Sequence, residues 1–168
     1  KASELDTRLV MRPLRNTERV LTNAGVERLL EKERALGADI ALTYQNEKTA
    51  KYTQPLAEAL GARLFEKLDV AQPGSLESVI EKCGAEFGQI DFAIHSMAFC
   101  EADDLHGRVI DTSESGFDSA MNISCHSFLR MAKALEPLMT EGGSLITMSY
   151  LGAERVVRNY GVMGIIKA

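Results

Sequence analysis

From Ala38 onward the chain alternates short apolar runs with longer amphipathic stretches, and no other feature restricts its fold so strongly. Ile40-Ala41-Leu42-Thr43-Tyr44 is a nearly continuous apolar run, the pattern of a parallel strand buried on both faces. Residues 47–60 then read as a helix that stops at Gly61. Residues 63–70 form the next strand candidate, and residues 75–87 a helix entered through Pro73-Gly74 and left at Gly88. A third strand is expected over 90–95 and a fourth over 144–148, entered through Gly142-Gly143. Between them, residues 115–135 carry Phe117, Met121, Phe128, Met131 and Leu135 largely on one helical stripe, and another helix begins near Asn159.

Strand and helix in strict alternation predict a doubly wound α/β fold, a Rossmann-like parallel sheet with right-handed crossovers. The four strands are expected to be buried neighbours in that sheet. Ligands of such sheets bind beyond the carboxyl ends of the strands. That rule selects Tyr44-Gln45, Asp69-Val70, residues 95–99 and Ser149-Tyr150, each a polar or aromatic cluster directly after a strand.

A length of 168 residues is that of one domain. No apolar run approaches the ~20 residues that span a bilayer, and the N-terminus carries Glu4 and Asp6 where a secretory signal has its apolar stretch. Cys83, Cys100 and Cys125 are an odd number with no CxxC pair, which indicates neither a disulfide framework nor a zinc site and fits a reducing cytoplasm. A net charge of -5 gives no general attraction to nucleic acid. The charge is uneven: residues 1–34 hold 8 of the 19 Lys+Arg and 6 of the 24 Asp+Glu, which leaves 11 against 18 in the remainder. We therefore divide the chain into an atypical basic head, residues 1–35, expected to be helical in part, and a core, residues 36–168.

The pattern with chemical content is Tyr160-x6-Lys167. Seven residues are nearly two helical turns, so on a helix the phenol and the ammonium share a face. A phenol of ordinary pKa ~10 is a poor acid at neutral pH, and a fixed cation beside it favours its ionised form. A lysine there also reaches a sugar hydroxyl of a bound nucleotide. Tyr150 stands ten residues earlier, at the end of the fourth strand. On its own the spacing is common, and two unrelated residues on a helix face would produce it.

Tyr150-x9-Tyr160-x2-Met163-x3-Lys167, with Gly142-Gly143-Ser144 before it and Gly152-Ala153-Glu154-Arg155 within it, resembles the enoyl-[acyl-carrier-protein] reductases, a divergent branch of the short-chain dehydrogenase/reductase superfamily. Leu42-Thr43-Tyr44-Gln45, Leu68-Asp69-Val70, residues 91–96, Leu105-His106-Gly107-Arg108 and Asn122-Ile123-Ser124 are similar to that branch in order and approximate spacing. The resemblance implies NADH-dependent reduction of the carbon–carbon double bond of an enoyl thioester carried on acyl carrier protein, in fatty acid biosynthesis. It implies that Tyr160 hydrogen-bonds the thioester oxygen and stabilises the enolate, that Lys167 holds the nicotinamide ribose, and that Tyr150 assists Tyr160 and lines the acyl pocket. By the same resemblance Gln45 lies near the adenosine ribose, Asp69 and Val70 bracket the adenine, and Ser96, Met97 and Ala98 run along the cofactor. Phe99 and Cys100 border substrate, and Met163 packs between the two tyrosines. No basic residue directly follows Tyr44-Gln45 to receive a 2'-phosphate, which favours NADH over NADPH, although Lys48 is near. The family also implies a homo-oligomer, a tetramer, paired through the 115–135 helix and the one beginning near Asn159, and a sheet that continues past the lysine helix, so that this chain holds an incomplete version of the fold.

Plainer roles compete at single positions. Asp69 after a strand serves equally as a turn cap, Met97 as core, and Cys100 as packing, since nothing beside it marks an activated thiolate. His95, His106 and His126 have no metal-ligand spacing. Cys125-His126 are adjacent and point apart on a helix, so they are no nucleophile–base pair. The head departs from the family, because Arg12-Pro13-Leu14-Arg15-Asn16 offers no glycine for close backbone approach to a diphosphate, and Pro13 has no amide donor. A weaker hold on the cofactor is expected there. Two other readings remain open on the sequence: a short-chain dehydrogenase acting on a carbonyl or alcohol, and a noncatalytic binding protein.

Overall fold

Strand β1 (Ala41–Tyr44) and strand β3 (Phe92–His95) send alternate side chains to opposite sides, and the core is organised around that period of two. Ile40, Leu42, Phe92 and Ile94 go to one face, where they meet Ala57 and Leu60 of helix α1 (Glu47–Ala59) and its cap. Ala41 and Ala93 go to the other, where Leu76, Val79, Ile80 and Cys83 of helix α2 (Ser75–Phe87) close over them together with Met131 and Leu135 of helix α5 (Ser127–Leu135). Helices thus cover both faces, as the alternating sequence predicts. The computed structural model describes Glu31, Lys32, Arg34, Ala35 and residues 37–168. The expected basic head, residues 1–35, lies almost wholly outside the described residues.

The remaining elements are strand β2 (Leu64–Lys67), the short helix α3 (Ala102–His106), helix α4 (Glu114–Met121), strand β4 (Ser144–Thr147) and helix α6 (Met163–Lys167). Pairing is parallel throughout. β1 runs beside β2 with Ala41 opposite Leu64 and Tyr44 opposite Lys67, and β3 beside β4 with Phe92 opposite Ser144 and His95 opposite Thr147. The expectation of four bonded neighbours is corrected here. Among the described residues the strands form two parallel pairs, β1–β2 and β3–β4, and the pairs meet through the side chains of Ile40, Leu42, Phe92 and Ile94. Burial is also less uniform than expected: β1 and β3 are enclosed, whereas β2 and β4 stay half-buried or exposed.

Local signals account for the ends of the elements. Asn46 accepts the amides of Lys48 and Thr49 at 3.0 and 3.1 Å, and Thr49 accepts that of Asn46 at 3.0 Å, a reciprocal box that starts α1. Gly74 and Gly88 flank α2 with φ of 79° and 76°, the left-handed region that glycine enters without strain. The long helix expected over 115–135 is α4 and α5 joined by a π-helical turn, Asn122–His126. Ser124 and Ser127, three apart, both face inward, where the first is buried and the second wholly enclosed. Phe117, placed on the apolar stripe, is exposed.

His95 ends β3 with no accessible surface. Its Nε2 lies 2.6 Å from Ser127 Oγ, and that hydroxyl donates its one hydrogen to the Ile123 carbonyl at 2.6 Å. The hydroxyl therefore accepts from Nε2–H, which leaves Nδ1 bare to accept from the Thr147 hydroxyl at 3.3 Å. The ring is neutral. Burial first, then the Lys167 charge, pushes its pKa down from 6.5 to about 4. The unfolded chain takes up this proton as pH falls through 6.5 and the folded chain does not until about 4, so stability is full above that window and lost within it. The loss approaches about 3 kcal/mol at the acid end. In urea unfolding between pH 7 and 4, His95→Gln is expected to show a flatter pH dependence than the unsubstituted chain; equal slopes would refute the assignment.

Candidate active site

The carboxyl ends of the strands carry the groups the sequence singled out. Gln45 follows β1 with its amide donated to Thr49 Oγ1 at 3.1 Å, so the capping box that starts α1 also fixes this residue. After β2, Asp69 donates its amide to Ser75 Oγ at 3.2 Å and accepts the Ala71 amide on Oδ1 at 3.0 Å. Its carboxylate therefore does perform the turn-capping role. Val70 beside it is buried. After β3, Ser96 and Ala98 are half-buried and Met97 is buried in the core that α2 and α5 cover, which gives Met97 the plainer role considered above. Phe99 is held by one hydroxyl in both directions: its amide donates to Ser124 Oγ at 2.9 Å, and that hydroxyl donates to its carbonyl at 3.2 Å.

Lys167 joins two of these ends. Its ammonium donates to the carbonyl of Met148, just past β4, at 2.8 Å and to that of Met97, just past β3, at 3.4 Å. The third hydrogen is left for another acceptor. Ser149 Oγ donates to the Lys167 carbonyl at 2.9 Å and secures α6 from the same side. The Tyr150 and Tyr160 rings lie with centroids 4.7 Å apart, inclined by 56°.

Three sequence expectations are corrected. Tyr160 and Lys167 do not share a helix, because α6 starts at Met163. Asn159 at φ 61° and Gly161 at φ 37° lie in the left-handed region and cannot continue a helix backwards to Tyr160. Met163 does not separate the tyrosines, since rings in direct contact leave no room; it is buried with Ala120, Val162 and Ile166, with Cys100 and Tyr160 on the border of the cluster. Nor does a cation favour ionisation of Tyr160. Its pKa is raised, by burial first and then by Tyr150 and Cys100, while burial lowers that of Lys167. The phenol remains protonated at neutral pH and acts as a hydrogen-bond donor, and among the described residues no acceptor occupies it.

Cys100 is half-buried and its thiol is pushed up by burial, then by Asp104 and Glu101, which fits packing and not nucleophilic use. Among the described residues no three His, Cys, Asp or Glu side chains are grouped to hold a metal. Beside Tyr160 a cavity of about 390 Å³ is bordered by Gly152, Val157, Gly161, Gly164 and Ile165. Sequence reasoning gave no role to Ser124 or Arg130. Ser124 stands out only within the family-like segment Asn122-Ile123-Ser124, with no role attached, and Arg130 reads as a solvated charge.

Fold and edge together define a class: a dinucleotide-type α/β protein with a tyrosine–lysine site at the carboxyl ends of its strands. A family model described as "Enoyl-(Acyl carrier protein) reductase" matches residues 29–168. The chain belongs to that family. An enoyl-[acyl-carrier-protein] reductase [NADH] FabI of Rickettsia bellii (strain RML369-C) is 43% identical over 132 residues, 79% of this chain and 50% of the relative. Enoyl-[acyl-carrier-protein] reductase [NADH] 1 of Rhizobium meliloti (strain 1021) is 41% identical, over 79% of this chain and 48% of its own length. The crystal structure of the Anaplasma phagocytophilum reductase in complex with NAD superposes with a TM-score of 0.70 at 45% identity, covering 74% of this chain and 48% of that one. The Aquifex aeolicus VF5 enzyme (NADH) gives 0.77 at 36% identity, over 82% and 55%. The chain spans about half the length of the curated relatives it matches.

Gly161 is where this geometry is least forgiving. A Cβ there would sit against the backbone carbonyl oxygens of Leu105 and Asp104, the latter at 2.7 Å, in a conformation that L side chains rarely adopt. Gly161→Ala is expected to cost roughly 1–3 kcal/mol, read as a lower urea midpoint. An unchanged midpoint would show that the turn before α6 is not held as described.

Proposed function

We propose that this protein reduces the carbon–carbon double bond of enoyl thioesters carried on acyl carrier protein, with NADH as hydride donor, as a step of fatty acid biosynthesis in the cytoplasm. Family membership supports the reaction class, and the NADH in the names of its relatives supports the cofactor. The observation that carries the reading is the Lys167 ammonium, gripped by carbonyls at the ends of both β3 and β4 with one hydrogen to spare, at the edge where the tyrosine pair stands. A half-buried donor so placed fits a ribose hydroxyl. Gln45, Asp69 and Val70 would hold the adenosine half, and Ser96, Met97 and Ala98 would flank the dinucleotide along the edge. When bound, NADH supplies a hydride to C3 of the enoyl group.

The chain's own residues then serve the oxygen. Tyr160, kept protonated by burial, would donate to the thioester oxygen and stabilise the charge that develops there as the double bond is reduced. Tyr150, in ring contact with it, would fix its inclination and border the acyl chain. Phe99 and Cys100 would line the substrate side, and Met163 would support Tyr160 from the cluster beneath. A phenol that acts on the developing oxyanion affects turnover more than cofactor affinity. Tyr160→Phe is expected to lower kcat for crotonyl thioester about 100-fold while leaving the KM for NADH nearly unchanged. Collapse of NADH affinity would make Tyr160 structural, and reduction of acetoacetyl thioester in place of the crotonyl compound would assign a carbonyl reductase.

We further propose a homo-oligomer, a tetramer as the family resemblance implies. Phe117 on α4, Leu129 on α5 and Ile165 on α6 are exposed apolar side chains on the helices expected to pair across a two-fold axis. Among the described residues no helix is long and apolar enough to cross a membrane. Light scattering at micromolar concentration is expected to give a multiple of the chain mass; a monomer would overturn this assembly.

A further inference from the structure

Arg130 reaches from α5 to two points that lie far from it in sequence. Its Nη1 donates to the carbonyl of Val70 at 2.9 Å, while Nε and Nη2 donate to the two carboxylate oxygens of Glu77, on α2, at 3.3 and 3.2 Å. The Arg130 side chain is 21% exposed and that of Glu77 48%, so the bond to the Val70 carbonyl is the sheltered half of the contact and the ion pair the solvated half. The fork geometry of a guanidinium allows one residue to brace a carboxylate and still satisfy a carbonyl. Glu77 answers to it: the Arg130 hydrogen bond is the main cause that holds its carboxyl below the ordinary value.

The carbonyl so held belongs to the turn after β2. The Val70 side chain packs in the same core cluster as Met97, and every other hydrogen bond of that turn is local: Ser75 takes the Asp69 amide, Asp69 takes the Ala71 amide on its side chain, and its carbonyl takes the Gln72 amide. Those bonds set the shape of the turn without fixing where it stands relative to β3, β4 and the Lys167 end of the site. Arg130 supplies that reference, because α5 packs on the same core as Met97 and continues the helix whose Ser124 clamps Phe99.

We infer that Arg130 is a positioning residue for nucleotide binding, which sets the Asp69–Val70 turn at the height required to receive the adenine end of a dinucleotide. The inference rests on the NADH reading above and adds to it a residue outside the strand ends. It predicts an asymmetry, since loss of Arg130 should cost the adenine half of the ligand and spare the nicotinamide half.

The test is NADH fluorescence titration of the full chain from micromolar to millimolar ligand, with AMP and nicotinamide mononucleotide as competitors. Arg130→Met keeps the apolar stem and removes every donor; it is expected to weaken NADH and AMP each about tenfold and nicotinamide mononucleotide hardly at all. Arg130→Lys, which keeps the charge but not the fork, is expected to fall between, and it carries the test if the Met variant does not fold. Glu77→Gln removes the ion pair and leaves the Val70 bond, so its NADH affinity should stay within about twofold. NADH binding by the Arg130 variants equal to that of the unsubstituted chain, equal losses for AMP and nicotinamide mononucleotide, or an equal loss in Glu77→Gln would each overturn the inference, the last by making Arg130 a brace between helices. If the unsubstituted chain gives no saturable response to NADH, the cofactor reading fails and this inference with it.

Discussion

Enclosure of β1 and β3 on both faces is the constraint from which the rest of the molecule follows. A strand covered by helices on each side favours apolar side chains along its length, so Leu42, Ala93 and Ile94 are packed against apolar neighbours, Thr43 is enclosed as a small hydroxyl, and the usable groups gather where the strands end. His95 marks the limit. It is the last residue of β3 and still fully enclosed, and it is tolerated only because Ser127 and Thr147 satisfy both ring nitrogens. Two residues further on, past the end of the strand, the backbone becomes available to Lys167 through the carbonyl of Met97.

That boundary explains which parts of the molecule were legible in the sequence. Strand and helix positions follow from apolar period and from Gly61, Gly74 and Gly88, all local signals, and most ends fall within a residue or two of the expected ones, whereas β2 ends at Lys67 rather than at residue 70 and the last helix starts at Met163 rather than near Asn159. The candidate residues at strand ends were legible for the same reason. What failed was orientation. The Tyr160–Lys167 spacing suits a helix, yet Asn159 and Gly161 adopt left-handed backbone that the spacing does not reveal, and Gly161 packs directly against the backbone of helix α3. Such a contact is tertiary and leaves no periodic trace. Arg130 was invisible in a related way, since its partners Val70 and Glu77 lie more than fifty positions away.

The separation of phenol and ammonium alters how the site divides its work. Had Lys167 stood beside Tyr160, the cation would have lowered the phenol's pKa and made it a stronger acid toward a developing negative charge. Here burial acts on both in opposite chemical senses: it keeps Tyr160 protonated and makes the charge on Lys167 costly, so that the ammonium is retained by carbonyl acceptors and by whatever takes its third hydrogen. A ligand hydroxyl at that position would relieve the cost, which makes Lys167 a binding group whose interaction is equally available before and during reaction. Tyr160 is the reverse, a neutral donor whose bond strengthens only as charge appears on its acceptor. On the proposed reading, uniform binding thus falls to the lysine and differential stabilisation to the tyrosine, and only the second of these raises the rate of a bound substrate.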